Sequence, residues 1–265
     1  MSPAAPVCLI TGASAGIGAA LAWPFARAGH ALALTARRQD RLNQLADAIA
    51  GEGHRRPAAI AADLTSPAGI AALAKALAAL GLEPAFVVNN AGFGRYGAAA
   101  EIDRARQLAM IDLNMRALTD LSLRWIDSIK RHRGGILNVA SVAGFLPGPG
   151  MAVYYATKAY VLSFSEALHA ELGPEGVRVT ALCPGPVETE FFGLAETPED
   201  YFPAAFMRTA ERVAREGYEG LMAGRRVVVP GAANRIVPWL PRLLPRALTL
   251  AIMAKRWRKT TRNGE

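Results

Sequence analysis

The chain has 265 residues and 52% hydrophobic residues, which suits one α/β domain with a well-filled core. Two cysteines and four scattered histidines exclude a disulfide-rich domain and have no metal-site spacing. The formal net charge of +8 is concentrated in residues 235–265, which hold eight basic residues and one acid, and no motif for binding nucleic acid accompanies it.

The first predicted element is a buried strand at residues 7–11, followed at once by a glycine-rich turn and an apolar helix. Glycines at 12, 16 and 18 allow a tight turn and a close approach of backbone N–H groups to a pyrophosphate. The helix that follows adds a favourable dipole at its N-terminus. The Gly-xxx-Gly-x-Gly spacing in this context therefore indicates a dinucleotide-binding turn, and the alternative is a turn that only needs small residues.

The second predicted strand, residues 31–35, leads into Arg37 and Arg38. In dinucleotide folds an acid at this strand end binds the adenosine ribose hydroxyls, whereas an arginine accommodates a 2′-phosphate. This strand end has two guanidiniums and no acid, so we expect NADP rather than NAD. The alternative is that both arginines only border a solvated helix start.

Further strands are predicted at 58–61, 86–89, 134–140, 177–183 and 227–230, and long helices at 103–131 and 153–172. Near-continuous apolar strands alternating with helices indicate a single doubly wound parallel sheet of about seven strands. Candidate functional residues lie at the carboxyl ends of these strands: Asn89 and Asn90, Ser141, and the Pro184-Gly185 pair. Such strand ends are where open α/β sheets bind ligands.

A possible acid/base pair lies at Tyr154 and Lys158, which share one face if the segment is helical. A phenol has a pKa of about 10 in water and is a poor base at neutral pH. A nearby ammonium lowers that pKa, so the pair is suited to proton transfer at a carbinol oxygen. The alternative is a core tyrosine beside a solvated lysine, and Tyr155 is expected only to pack or to line the pocket.

The motifs together resemble the short-chain dehydrogenase/reductase family, in its single-domain branch with a Rossmann-type sheet. The matching stretches run in the family's order from residue 7 to about 190: Thr11 to Gly18, Asp63-Leu64, Asn89 to Gly92, Asn114, Ser141, Tyr154 with Lys158, and Pro184 to Thr189.

This resemblance implies a role for each matching residue. Tyr154 is the expected acid/base, and Lys158 lowers its pKa and holds the nicotinamide ribose. Ser141 is expected to bind the substrate oxygen, and Asn114 to anchor a water that links Lys158 to solvent. Asp63 is expected at the adenine amino group. The complete set of expected cofactor contacts is Gly12, Ser14, Ala15, Gly16, Ile17, Gly18, Arg37, Arg38, Asp63, Leu64, Asn90, Ala91, Gly92, Tyr154, Lys158, Pro184, Gly185, Val187 and Thr189, with no metal.

The resemblance ends near Thr189, before a segment rich in apolar and aromatic residues. In the family this region is a lid over the substrate, so the resemblance implies a substrate lid at about 189–225. The apolar and aromatic residues lead us to expect an apolar carbonyl or secondary alcohol as the substrate, and the alternative is that these rings only pack the lid against the sheet. The aromatic and apolar residues concerned are Phe191, Phe192, Leu194, Tyr201, Phe202, Phe206 and Met207.

The last segment, 235–265, is expected to be a basic amphipathic extension of the catalytic domain 1–234, helical from about 246 to 258. Prolines interrupt its first half, and the stretch is too short to span a bilayer. Basic segments with tryptophans suit an anionic membrane surface. The alternative is that the extension docks on its own domain or on a second subunit.

We therefore expect an NADP-dependent oxidoreductase that transfers hydride to or from a carbonyl or alcohol carbon, with reduction as the expected direction. The alternative is a non-catalytic dinucleotide sensor or a membrane-surface scaffold on the same fold. The reduced cysteines and the lack of a signal peptide predict a cytoplasmic protein, in peripheral contact with the inner face of the membrane if the extension binds lipid. The resemblance also implies a homodimer or homotetramer.

Overall fold

The predicted strands form one parallel sheet in the computed structural model of this chain, which describes residues 4–197 and 204–262. At positions 192, 204, 242 and 259–262 it describes the backbone alone. The strands are β1 (Ala5–Thr11), β2 (Leu32–Ala36), β3 (Ala58–Ala61), β4 (Leu82–Asn89), β5 (Gly135–Val139), β6 (Arg178–Leu182) and β7 (Val227–Val228). The predicted seven-stranded α/β fold is confirmed.

The strand order is β3-β2-β1-β4-β5-β6-β7, and all neighbouring pairs are parallel. The chain builds one half of the sheet from β1 to β3, then crosses to the other side of β1 to continue with β4. This reversal leaves a crevice beyond the carboxyl ends of β1 and β4, the place where doubly wound sheets bind ligands.

Helices cover both faces of the sheet, as right-handed crossovers between parallel strands require. They are α1 (Gly16–Arg27), α2 (Gln39–Gly51), α3 (Pro67–Ala79), α4 (Arg104–Ile111), α5 (Leu118–Arg124), α6 (Ile126–Arg131), α7 (Ala152–Leu172), α8 (Phe191–Ala195), α9 (Ala210–Met222), α10 (Leu240–Leu243) and α11 (Arg246–Arg262).

The side chains of β1 alternate between two apolar cores. Cys8 and Ile10 pack on the face covered by α1, α2 and α9, whereas Val7 and Leu9 pack on the face covered by α3, α5 to α7. This two-sided burial explains why the strands are nearly continuous runs of apolar residues.

The predicted long helix at 103–131 is interrupted in the structure. It consists of α4, a π-helical segment at Asp112–Ala117, and then α5 and α6, which are separated at Trp125. The π-helical segment carries Asn114, whose side-chain amide is bonded to the Phe93 backbone. Apolar periodicity does not reveal such an insertion, which is common near functional sites.

Helix α9 forms part of the core rather than a cover over the sheet edge. Its residues Val213, Ala214 and Leu221 are buried against the strands. Among the described residues of the predicted lid at 189–225, those that line the cavity lie within 189–197. Tyr201, Phe202 and the side chain of Phe192 lie outside the described residues.

The inner face of the C-terminal extension packs on the domain, and its helix α11 is four residues longer at its end than predicted. Met253 contacts the apolar cluster of Ala143, Met151 and Tyr155, and Trp257 lies beside Gly150. None of the described helices is both long enough and apolar enough to cross a membrane. The division of the chain at residue 234 stays a prediction.

Candidate active site

A cavity of about 550 Å³ opens at the predicted crevice. It extends from the ends of β2 and β3 to the start of α7. All of the residues predicted to contact a cofactor line it except Gly18, and Asn114 is the one predicted catalytic residue that does not. The fold therefore brings together side chains of predicted site residues that are as much as 175 positions apart, from Ser14 to Thr189.

The glycine turn is held against β4 by Asn90, and Gly18 is required for this contact. Asn90 Nδ2 donates to the carbonyls of Thr11 (3.0 Å) and Gly12 (3.2 Å). A Cβ on Gly18 would lie only 2.3 Å from Gly12 O and 2.4 Å from Asn90 Nδ2. Gly12 and Gly16 have φ values of +65° and +56°, where glycine is favoured. Gly18 thus acts through packing rather than by lining the cavity.

The start of α1 lines the cavity through Ala15, Gly16 and Ile17. Among the described residues, none caps this helix start with a side chain, and its first turn contains no acid. The orphan N–H groups and the helix dipole are therefore available to an anion. This cradle fits the pyrophosphate of a dinucleotide, as the glycine spacing predicts.

Polar and charged side chains collect at the β2–β3 end of the cavity. Arg38 donates to Ser14 Oγ from two nitrogens (3.4 and 3.2 Å), and Arg37 is exposed beside it. Asp63 Oδ1 accepts from the backbone and hydroxyl of Thr65 (3.0 and 2.8 Å), and these hydrogen bonds are the main reason that its pKa is lowered. The carboxylate is therefore ionised at neutral pH, able to accept a hydrogen bond from an amino group.

Tyr154 and Lys158 lie together at the opposite end, on the first turns of α7. The Lys158 Nζ is 5.8 Å from the centroid of the Tyr154 ring and donates to Val139 O at 2.7 Å. Ser141, just beyond β5, hydrogen-bonds Tyr154, accepts from Ala143 N (3.1 Å) and donates to Pro184 O (3.4 Å). The predicted i, i+4 pair is thus present, with Ser141 beside it.

Burial dominates the ionisation of both groups. It raises the pKa of Tyr154 to about 12, against the opposing effect of the hydrogen bond with Ser141. It lowers the pKa of Lys158 to about 8. The lowered tyrosine pKa expected from the neighbouring ammonium is therefore not the net result, because removing a phenolate from water costs more than this contact returns. At neutral pH the tyrosine is protonated and suited to donate a proton.

Asn114 lies behind the cavity, in the π-helical segment. Its amide donates to Phe93 O (3.0 Å) and Thr157 Oγ1 (3.1 Å), and its Oδ1 accepts from Phe93 N (3.1 Å). A Cβ on Gly92 would lie 2.9 Å from Asn114 Oδ1 and 3.6 Å from Lys158 Nζ. Gly92 therefore lies close to both side chains, and the water that Asn114 is expected to anchor between Lys158 and solvent stays a prediction.

The remaining wall, beside Tyr154, is largely apolar. The Phe191 ring centroid is 5.5 Å from that of Tyr154, and Gly94 allows both rings to approach its backbone. The charged residues among those that line the cavity are Arg37, Arg38, Asp63, Lys158 and Glu190. The described part of this wall, which we call the apolar wall, consists of Phe93, Ala143, Met151, Tyr155, Phe191, Leu194 and Thr197.

Sequence reasoning did not identify several residues that shape the site. Glu190 pairs with Arg38 across 152 positions, and no local pattern could reveal that contact. Buried Asn234 packs against Gly185 and donates to Pro230 O (2.9 Å) and Phe206 O (3.2 Å). A polar residue within an apolar segment was the only available signal for Asn234. Among the described residues, no group of three or more His, Cys, Asp or Glu could hold a metal ion.

Three comparisons show what the chain is similar to. It is 36% identical to sulfoacetaldehyde reductase 2 of Chromohalobacter salexigens over 188 residues, 70% of this chain and 74% of the relative. The structure of a short-chain dehydrogenase from Sphingobium yanoikuyae in complex with NADPH matches with a TM-score of 0.78 and 36% identity, covering 87% of this chain and 90% of that chain. The bulky-bulky ketone specific alcohol dehydrogenase from Comamonas testosteroni matches with a TM-score of 0.73 and 33% identity, covering 85% and 86%.

The sequence model described as short chain dehydrogenase matches residues 6–200. This span includes the glycine turn, the Tyr154–Lys158 pair and the segment that follows β6. The chain therefore belongs to the short-chain dehydrogenase/reductase family of oxidoreductases.

Proposed function

We propose that this protein is an NADP-dependent carbonyl reductase with Tyr154 as its general acid. The observation that carries the proposal is one cavity with the α1 N-terminus and two arginines at one end and the Ser141–Tyr154–Lys158 cluster at the other. When bound, the nicotinamide supplies or accepts the hydride. NADP agrees with the guanidiniums beside Ser14 and with the NADPH complex of the Sphingobium relative.

In this proposal each residue of the cluster acts on a proton or on the carbonyl oxygen. Ser141 donates a hydrogen bond to that oxygen and polarises it, and Tyr154, protonated at neutral pH, donates the proton as negative charge develops there. Lys158 supplies positive charge near the phenol and binds ribose hydroxyls. Asn114 anchors a water that links Lys158 to solvent.

The apolar wall supports a bulky, uncharged ketone as the substrate. A sulfonate or carboxylate needs a cation or several donors, and the described residues of this wall contribute no charge to it. Two relatives suggest different substrates. The Chromohalobacter relative is named for sulfoacetaldehyde, and the Comamonas relative is named for ketones with two bulky substituents. The apolar wall favours a ketone with two bulky substituents.

Replacing Tyr154 with phenylalanine tests the mechanism. The Tyr154→Phe variant removes the proton donor and keeps the ring, so we expect kcat for NADPH-dependent ketone reduction to fall by about 10²- to 10⁴-fold. Tyr155→Phe is the matched control, with an expected effect below roughly tenfold. Retained NADPH binding, followed by nicotinamide fluorescence, separates lost chemistry from lost folding.

Wild-type kcat/KM for an aryl ketone with two bulky substituents should exceed that for sulfoacetaldehyde. The reverse preference would contradict the apolar-substrate proposal and leave the mechanism intact. Undiminished turnover by Tyr154→Phe would contradict the mechanism itself. NADPH binding without any turnover of a broad carbonyl panel would favour the non-catalytic sensor.

We further infer that the outer face of the C-terminal extension binds an anionic membrane surface. Leu243, Leu248, Leu250 and Ile252 are exposed there, close to the exposed cations Arg246 and Lys255. This combination suits peripheral contact with acidic lipid.

The cytoplasmic location stays a prediction, and so does the homodimer or homotetramer. Exposed Leu108, Ile111 and Leu123 on α4 and α5 provide an apolar face that supports self-association.

A further inference from the structure

Arg38, one of the two arginines among the described residues that line the cavity, already has an anionic partner. Its Nη2 is 2.9 Å from Glu190 Oε2, while the same guanidinium donates to Ser14 Oγ. The two charged side chains are 44% and 50% exposed, and both line the cavity. The pair therefore stands where a ligand can reach it.

Glu190 is brought to Arg38 by the segment that follows β6. Thr189 packs on the glycine turn, since a Cβ on Gly16 would lie 3.0 Å from Thr189 Cγ2. Glu190 is the next residue and immediately precedes α8, whose first residue, Phe191, contacts Tyr154. Glu190 thus contacts Arg38 at one end of the cavity and is bonded in sequence to Phe191 of the apolar wall.

We propose that Glu190 is a cofactor-specificity residue that competes with the 2′-phosphate of NADP for Arg38. This inference rests on the proposed function. A carboxylate and a phosphate on one guanidinium repel each other, so the phosphate must displace Glu190 or share its donors. NADH has no 2′-phosphate and leaves the Arg38–Glu190 pair intact. Glu190 therefore weakens NADPH binding selectively and narrows the preference for NADP that Arg37 and Arg38 create.

The same competition reaches the substrate end of the cavity. When the 2′-phosphate binds Arg38 in place of Glu190, the ion pair that connects the start of α8 to the domain is lost. Other contacts remain, because Tyr96 N donates to Ala195 O (2.8 Å) and Arg95 pairs with Glu196. NADPH and NADH therefore leave Phe191 differently restrained against Tyr154.

The Glu190→Gln variant tests the proposal because it removes the charge and keeps the shape. We expect its dissociation constant for NADPH to fall about two- to fivefold, the size of a half-exposed ion pair, with that for NADH unchanged. Glu188→Gln, an exposed carboxylate two residues earlier, is the matched control and should change neither. In competition titrations, 2′,5′-ADP should gain affinity for Glu190→Gln and AMP should not.

Arg38→Gln distinguishes a failure of this inference from a failure of the proposed cofactor. It should weaken NADPH binding and abolish the effect of Glu190→Gln in the double variant. If Arg38→Gln acts as expected but Glu190→Gln shifts both cofactors equally or weakens NADPH, the competition is refuted and the NADP proposal survives. If Arg38→Gln leaves NADPH binding unchanged, Arg38 does not bind the 2′-phosphate: the competition is then refuted, and the NADP proposal rests on Arg37 alone.

Discussion

At the scale of residues, the site depends on groups whose ionisation is set by burial. Lys158 is 6% exposed, and its ammonium has lost nearly all contact with water. Tyr154 is shifted in the opposite sense, so burial favours the neutral form of both. The sequence suggests that the Lys158 ammonium lowers the pKa of Tyr154. The same burial also lowers the pKa of Lys158 and so disfavours the charged form of this ammonium. Keeping two ionisable groups buried costs stability, and such a cost is common at active sites.

Lys158 should make the stability of the protein depend on pH above neutrality. Its folded pKa is about 8 against 10.5 for the ordinary side chain, so the unfolded chain binds more protons between these values. The free energy of unfolding therefore gains up to about 3 kcal/mol from this group as pH rises through that window, and the penalty is fully present below pH 8.

Urea denaturation of wild type and Lys158→Met from pH 7 to 10 measures this contribution. The difference in unfolding free energy should shift in favour of wild type as the pH rises. Curves that remain parallel across the range would show that Lys158 keeps an ordinary pKa in the folded protein.

At the scale of elements, two helices differ from their sequence patterns in ways that matter for the site. The π-helical segment at Asp112–Ala117 turns Asn114 toward the Phe93 backbone. The inner face of helix α11 consists of Thr249, Met253 and Trp257. Part of a helix that the sequence predicts to lie on a membrane surface therefore packs against the domain, where Met253 supports Met151 and Tyr155.

Met253→Ala should loosen the apolar wall without touching the cofactor. Met253 is partly buried, so we expect a loss of roughly 1–2 kcal/mol in unfolding free energy, below the range for fully buried methionines. KM for a bulky ketone should change with it, while NADPH affinity is retained. Ile252→Ala, at a 50% exposed neighbour on the outer face, should cost no more than about 0.5 kcal/mol. Equal effects of the two substitutions would contradict a bracing role for the inner face.

At the scale of the whole molecule, charge is distributed unevenly. Residues 1–234 together are close to neutral, whereas residues 235–265 carry almost all of the net +8. The same extension exposes large apolar side chains, among them Leu243 at 76%. Its two faces thus have separate partners: the domain for the inner face and, in our proposal, acidic lipid for the outer face.

Sedimentation with lipid vesicles tests that division. The protein should bind phosphatidylglycerol vesicles and not phosphatidylcholine vesicles, because the cations contribute about 1 kcal/mol each near an anionic surface. Arg246→Glu with Lys255→Glu should reduce binding at least roughly tenfold. The control pair Arg55→Glu with Lys75→Glu makes the same charge change on other exposed positions and should have less effect. Binding that is insensitive to the extension's charges would contradict the membrane proposal.

The sequence by itself determined the parallel sheet, the glycine turn and the Tyr154–Lys158 spacing, because strand burial, tight turns and helix faces are local consequences of residue type. Tertiary structure decided which partners these residues meet. It paired Arg38 with Glu190, placed Asn234 under Gly185 and seated Met253 behind the apolar wall. It also decided the ionisation of Tyr154 and Lys158. These contacts and pKa shifts arise from segments far apart in the chain, and burial is a property that a residue acquires only when the whole fold surrounds it.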